Sequence, residues 1–318
     1  MARTALSRMS WEGYTLRSAQ SANPTFVPTF VYGTAWKRDR TAGLVHQAIS
    51  AGFRAVDTAA QPKHYREDLV GDGIRKAIGD GFVRREDLYI QTKFTSVHGQ
   101  NPDDMPYNPK DSVADQVHAS VQSSLHNLRP SAAPESADET YIDTLVLHSP
   151  LPTMAQTMEA WSTLETYVPH RIRNLGISNT TLPILREIVS LAKVKPAVVQ
   201  NRFYGGTQFD VPLRAYCREH QIVYQSFWTL TANPELVQSK PVQSLAKNAG
   251  VSTAAALYGL VLGLGHATIL NGTTKREHME ADLTALKTLQ QFSSDNAEDW
   301  QSILEDFDQL TGDHVYLQ

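Results

Sequence analysis

Residues 141–178, YIDTLVLHSPLPTMAQTMEAWSTLETYVPHRIRNLGIS, decide the fold. The segment 141–148 is an almost unbroken β-branched and apolar run, which reads as a strand buried on both faces. Residues 156–167 carry apolar side chains at helical spacing, and 172–178 return to strand character. A strand, a helix and a second strand in so short a span form a βαβ unit, the building block of parallel sheets.

The same alternation extends in both directions. Upstream, 29–36, 54–59 and 88–94 read as strands. The helices between them place Leu44, Val45, Ala48 and Ile49 on one face, occupy 68–78, and carry a stripe of Val113, Val117, Val121, Leu125 and Leu128. Downstream come helix 182–192, strand 197–203, helix 211–220, strand 222–228, helices 241–249 and 253–263, strand 267–270 and helix 275–289. Eight strands, each followed by a helix over about 260 residues, predict a closed (β/α)8 TIM barrel. An open dinucleotide-binding sheet would need GxGxxG at its first strand-to-helix turn. The nearest match, Gly71-Asp72-Gly73, has Lys76 in the third glycine's place and opens no such turn.

The expected layout is a flexible N-terminal segment over 1–28 and one domain over 29–318. That domain ends in an extra helix bearing Trp300, Ile303, Leu304, Phe307 and Leu310, with Asp295 and Glu298 as its capping box. Within the first twenty residues, Arg3, Arg8 and Arg17 against the single acid Glu12 resemble an organellar transit segment; the plainer reading is a disordered tail. Residues 95–110 form a long loop on the side where barrel sites lie, and 130–140 a loop on the opposite side.

Composition sets the class of partner. The 318 residues are 41% hydrophobic and 19% charged, with a formal net charge of −4 and no basic stripe, so neither nucleic acid nor a membrane surface is expected. No apolar run reaches the roughly 18 residues of a spanning helix. The single cysteine, Cys217, has no ligand set around it, no metal is expected, and a reducing, cytoplasmic setting fits. Nothing in the pattern specifies an oligomer; a monomer suffices.

In a barrel of this kind, reactive groups stand at the C-terminal ends of the strands. The second strand ends in Asp57 and its loop carries Tyr65, the third ends in Lys93 and the fourth in His148. Each alone reads as a structural residue, but barrel closure aims all four at one point. A phenol with a reference pKa near 10 donates its proton to a developing alkoxide more readily when a cation stabilises the phenolate. Lys93 supplies that cation, Asp57 keeps it charged, and a His148 N–H positions a carbonyl oxygen. The set protonates an oxygen while something else adds to the carbon, and no hydrolase or phosphotransferase motif accompanies it.

With these residues in place the chain resembles the aldo-keto reductase superfamily. The likeness runs from Gly33 to Leu283 through GTAWK (33–37), VDTA (56–59), HYRE (64–67), QTKF (91–94), DTLVLHSP (143–150), NLGISN (174–179), VVQNRF (198–203) and ILNGTT (269–274). It implies NADPH- or NADH-dependent reduction of a small carbonyl substrate by hydride transfer, with Asp57, Tyr65, Lys93 and His148 as the catalytic set. Carried over by position, Ser178, Asn179 and Gln200 hold the nicotinamide carboxamide and Phe227 stacks on the ring, with Trp228 as its rival. Thr34, Leu230, Gly272, Thr273, Lys275, Arg276 and Glu280 fall at further cofactor positions, and Trp36 and Ser149 line the substrate pocket. The same scaffold also serves as an alcohol dehydrogenase, or as a cofactor-sensing regulatory protein.

Several positions depart from the family pattern. Tyr65 follows Asp57 by eight positions, against the usual five, with Gln61-Pro62-Lys63-His64 filling the difference; His64 reads as a solvent-facing loop residue. Asn271 and Glu277 replace the basic residues that pair with the adenosine 2′-phosphate. Lys275 and Arg276, at the start of the last barrel helix, are the substitutes expected to preserve NADPH preference, with NADH possible.

Overall fold

The computed structural model describes residues 9–16, 24–133 and 136–315. Two short strands, β1 (Gly13–Leu16) and β2 (Thr25–Pro28), precede an alternating series. That series runs β3 (Phe30–Gly33), α1 (Thr41–Ala51), β4 (Ala55–Asp57), α2 (Glu67–Gly79), β5 (Tyr89–Phe94), α3 (Val113–Asn127), the single turn α4 (Ser136–Glu139) and β6 (Ile142–Leu147). It continues through α5 (Met154–Glu165), β7 (Ile172–Ser178), α6 (Leu182–Leu191), β8 (Val198–Arg202), α7 (Val211–Glu219) and β9 (Val223–Phe227). The chain ends with α8 (Pro234–Val237), α9 (Lys240–Ala249), α10 (Thr253–Gly263), β10 (Ala267–Asn271), α11 (Arg276–Asp295) and α12 (Ala297–Thr311). Strands β3 to β10 pair in parallel, each with the next, and β10 closes on β3. This is the (β/α)8 barrel that the sequence predicts.

The barrel strands are buried on both faces because helices cover the outside and side chains fill the inside. Helix α10 is almost wholly buried, and its glycines are where later helices come close. A Cβ on Gly259 would lie 2.8 Å from Leu289 of α11, and one on Gly263 would lie 2.8 Å from Leu304 of α12. Among the described residues no single helix is long and apolar enough to cross a membrane.

Two expectations are corrected here. Residues 13–16 and 25–28, assigned to a flexible segment, form an antiparallel hairpin across the barrel floor. Leu16 and Val27 are buried against Val31, Ala55, Tyr89, Val198 and Val223, the inward residues at or near the starts of five barrel strands, so the hairpin seals that end from water. The rest of the proposed tail, 1–8 and 17–23, lies outside the described residues, as does much of any transit segment. The capping box also does not form. Helix α11 runs on to Asp295, whose carboxylate accepts from Gln291, and α12 is N-capped by Asn296 without a side-chain bond. The apolar face of α12 is a packing face where Trp300, Ile303, Leu304 and Phe307 are buried, but Leu310, expected on that face, is 50% exposed.

Candidate active site

Asp57 ends β4 and Lys93 sits one residue before the end of β5; both side chains are essentially inaccessible to water. Their ion pair is 2.6 Å long, and Lys93 Nζ also donates to the Thr58 carbonyl at 2.8 Å. The other oxygen of Asp57 accepts from Gln91 Nε2 at 2.7 Å and Gln200 Nε2 at 3.0 Å. Both amides also donate to Gln225 Oε1, and Tyr89 donates to Gln91 Oε1, so a buried amide network fixes the carboxylate from below. Buried charges persist only with such saturation. Gln91 and Gln225 went unnoticed in the sequence, although each stands two residues before a strand-end candidate and shares its face.

The longer connection between Asp57 and Tyr65 is absorbed locally. Both His64 N and Tyr65 N donate to the Gln61 carbonyl, closing a helical turn, and Gln61 Nε2 donates to Gly99 of the long loop at 2.6 Å. Glu67, two residues past Tyr65, is buried and bonded to Thr92, Ser124 and Asn127, which anchors this segment to β5 and α3. Lys93 Nζ lies 5.0 Å from the centre of the Tyr65 ring, and the His148 ring is 6.0 Å from it at 70°. Asp57, Tyr65, Lys93 and His148 therefore converge.

Their protonation is set by burial. Desolvation first, and the Asp57 carboxylate second, hold the Tyr65 phenol above its ordinary pKa. Lys93 is pulled below the usual lysine range by burial, against the opposing pull of Asp57. Burial and the Asp57 carboxylate together leave the resting phenol protonated. His148 is pushed down to about 3 by burial, with Lys93 and His64 adding to the effect, and is neutral. Its Nδ1 is 2.6 Å from Thr95 Oγ1, which leaves Nε2 as the other functional nitrogen.

Around this centre the remaining predicted residues divide. Ser178 Oγ donates to the Gln200 carbonyl, and Asn179, in a left-handed conformation at φ 51°, donates to the His148 carbonyl and to Ser178 Oγ. Both Nε2 protons of Gln200 are committed, so its free group is the amide oxygen. Phe227 is half-buried at the end of β9 on the face shared with Gln225, whereas Trp228 is 49% exposed at φ 56°. Leu230 and Ser149 are half-buried in the loops after β9 and β6. Trp36 is 58% exposed and stacks on His64 with ring centroids 3.8 Å apart, so His64 is half-buried and not the solvent-facing residue expected. Thr34 is turned inward: its hydroxyl and its N–H both donate to the Asp57 carbonyl, which positions β4. A cleft beside α2 and α3, lined by Tyr65, Pro62, Asp104 and Pro106, brings the long loop next to the Tyr65 segment.

At the far end of the mouth, Gly272 and Thr273 lead into α11. Lys37, a residue missed in the sequence although it closes the GTAWK motif, is buried and donates to the Gly272 carbonyl at 2.8 Å; burial lowers it to about 8. Asn271 is turned away to Asp282, and Glu277 is exposed. Lys275 is the exposed residue that begins the helix, and Arg276 bonds Glu280 at 2.8 Å and Ser50 at 3.1 Å.

The Aldo/keto reductase family pattern matches residues 29–305. The chain belongs to that family. This aldo/keto reductase is 29% identical over 264 residues to an uncharacterized oxidoreductase of Schizosaccharomyces pombe, covering 82% of this chain and 83% of the relative. It is 26% identical to a glycerol 2-dehydrogenase (NADP(+)) of Hypocrea jecorina over 84% and 85% of the two chains. A crystal structure of an aldo/keto reductase from Brucella melitensis superposes with a TM-score of 0.67 at 21% identity, covering 92% of this chain and 99% of the other, a likeness of fold. As a family member it is an oxidoreductase.

Proposed function

We propose that this oxidoreductase reduces an aldehyde or ketone to the alcohol with NADPH, NADH serving less well, and that Tyr65 donates the proton. The observation that carries the reading is a neutral phenol and a neutral imidazole held over a buried Asp57–Lys93 pair at the ends of successive strands.

The donor set fits a dinucleotide. Gly272 leaves open space where a Cβ would stand, α11 begins beside Lys275 and Arg276 without a side-chain cap, and Lys37 and Tyr32 fix the turn from beneath. Ser178, Asn179 and Gln200 would hold the carboxamide, with the Gln200 amide oxygen as acceptor. Phe227, with Leu230 nearby, would cover the ring, and Glu280 would lie near the adenosine. A reduced nicotinamide, when bound, supplies hydride.

Everything else is done by the chain's own residues. We assign Thr95 as the donor in its 2.6 Å bond to Nδ1, so that His148 carries its proton on Nε2 and orients the carbonyl oxygen. Tyr65 gives its proton to that oxygen as charge develops, and Lys93 is then the cation nearest the phenolate, so its stabilisation is exerted when the proton leaves. Trp36 and Ser149 bound the substrate. The same groups run the reverse oxidation by accepting the proton. The intact proton-transfer set favours an enzyme over a cofactor-sensing protein, and we place it in the cytoplasm as a monomer. Turnover of 4-nitrobenzaldehyde with NADPH, compared with NADH, tests the reading directly; no turnover with either cofactor overturns it.

A further inference from the structure

Gln200 and Gln225 point into the barrel, where they meet through their amides. Two residues on, on the same face of the same strands, Arg202 and Phe227 stand side by side in register one layer nearer the mouth. Arg202 makes no salt bridge among the described residues, and its Nε is buried without a hydrogen-bond partner. Its guanidinium lies 4.2 Å from the ring centre of Trp228 and 5.1 Å from that of Tyr204. Both rings are themselves set with care. Trp228 is held exposed in a left-handed conformation that a bulky residue adopts only at a cost, and Tyr204 lies so close over Gly206 that a Cβ there would be 2.4 Å from its ring. A cation held against two aromatic rings, with its hydrogen-bonding edge unspent among the described residues, is pre-organised for an anion.

We infer that Arg202, held by Trp228 and Tyr204, is a subsite for a carboxylate or phosphate carried by the carbonyl substrate. The inference rests on the carbonyl-reductase reading and adds the substrate class to it: anionic aldehydes or ketones. The substrate is favoured over the cofactor's phosphates as the source of the anion. Arg202 neighbours Gln200 and Phe227, the nicotinamide end, whereas Lys37, Lys275 and Arg276 already gather where β10 meets α11.

The test pairs anionic 4-carboxybenzaldehyde with neutral 4-methylbenzaldehyde, of similar shape, in wild type, Arg202→Gln and Arg202→Lys. Arg202→Gln should lower kcat/KM for the carboxylate by about tenfold to a hundredfold, through KM, and change the neutral aldehyde less than about twofold; Arg202→Lys should retain part of the difference. Equal losses on both aldehydes overturn the subsite. An unchanged ratio with weakened NADPH binding overturns it in favour of the cofactor's phosphates. An equilibrium arm is independent of turnover: benzoate should quench tryptophan fluorescence in wild type, and Arg202→Gln should weaken that binding about tenfold or more. If neither aldehyde reacts, the carbonyl-reductase reading fails, and the benzoate titration still decides the anion site. Benzoate binding equally well to both proteins refutes it.

Discussion

The two ends of the barrel mouth are built on opposite plans. At the proposed reacting end, Asp57 and Lys93 are sealed, paired with each other and bonded to Gln91, Gln200 and the Thr58 carbonyl. Where β10 meets α11, Lys275, Arg276, Glu277 and Glu280 are all exposed, and their few contacts lie at the surface. Charges in low dielectric interact strongly and depend on one another, whereas exposed ones are screened and nearly additive. Substitutions at the first end should therefore be severe and coupled, and at the second mild and sensitive to salt.

The largest effect is expected at Tyr65. Tyr65→Phe should lower kcat by about 10²–10⁴ while NADPH binds as before, because only the proton donor is removed. Steady-state kinetics with a fluorescence titration of cofactor checks both halves; near-native turnover would hand the role to His64. Coupling is the next test. Asp57→Asn and Lys93→Met each leave one buried charge unpaired, at a cost of about 3–5 kcal/mol, so each should lower both activity and Tm. The double variant should lose clearly less stability than the sum of the two. Additive losses would mean that the pair is not the sealed unit described. Asp57→Asn should also lower the Tyr65 phenol's pKa, since the carboxylate that raises it is gone; the tyrosinate difference spectrum against Asp57→Asn/Tyr65→Phe reads that shift.

This contrast was only half legible in the sequence. Asp57, Lys93 and His148 could be placed because strand ends and barrel closure are read from periodicity alone. Gln91 and Gln225 could not, because their meaning is a contact between residues 134 positions apart in the chain. The same is true of Lys37 with Gly272, which lies 235 positions away. The floor hairpin escaped because two four-residue strands carry little periodic signal, and their burial comes from the barrel they close. The Asp295 capping box failed because α11 keeps its helical bonds through that residue, and motif spacing does not report where a helix stops.

Between the two extremes lies His148, whose protonation couples the sealed end to pH. Its folded pKa is depressed to about 3 by burial, against about 6.5 in the unfolded chain. Below about 6.5 the unfolded state therefore binds a proton that the folded state refuses, so stability present at pH 7 is lost as pH falls toward 3. Tm should drop between pH 7 and pH 5, and His148→Gln should lose less over that interval. Equal losses would show that His148 titrates normally and that the site is open to water.

The smallest effects belong to the open end, and there the two cations should differ. Lys275 is the exposed N-cap residue of α11 and makes no ion pair among the described residues, so Lys275→Ala should weaken NADPH binding about tenfold and leave NADH unchanged. Arg276 already gives Nε to Glu280 and a second nitrogen to Ser50, and an exposed pair of that kind holds a guanidinium weakly but in the wrong place. Arg276→Ala should then cost only about twofold. Glu280→Gln frees the guanidinium and removes a negative charge beside the phosphate, so it should tighten NADPH by about the same factor, an effect that 0.5 M salt erases. If Arg276→Ala proves worse than Lys275→Ala, the guanidinium leaves Glu280 for the 2′-phosphate on binding. The open end would then rearrange around its ligand, where the sealed end is already formed.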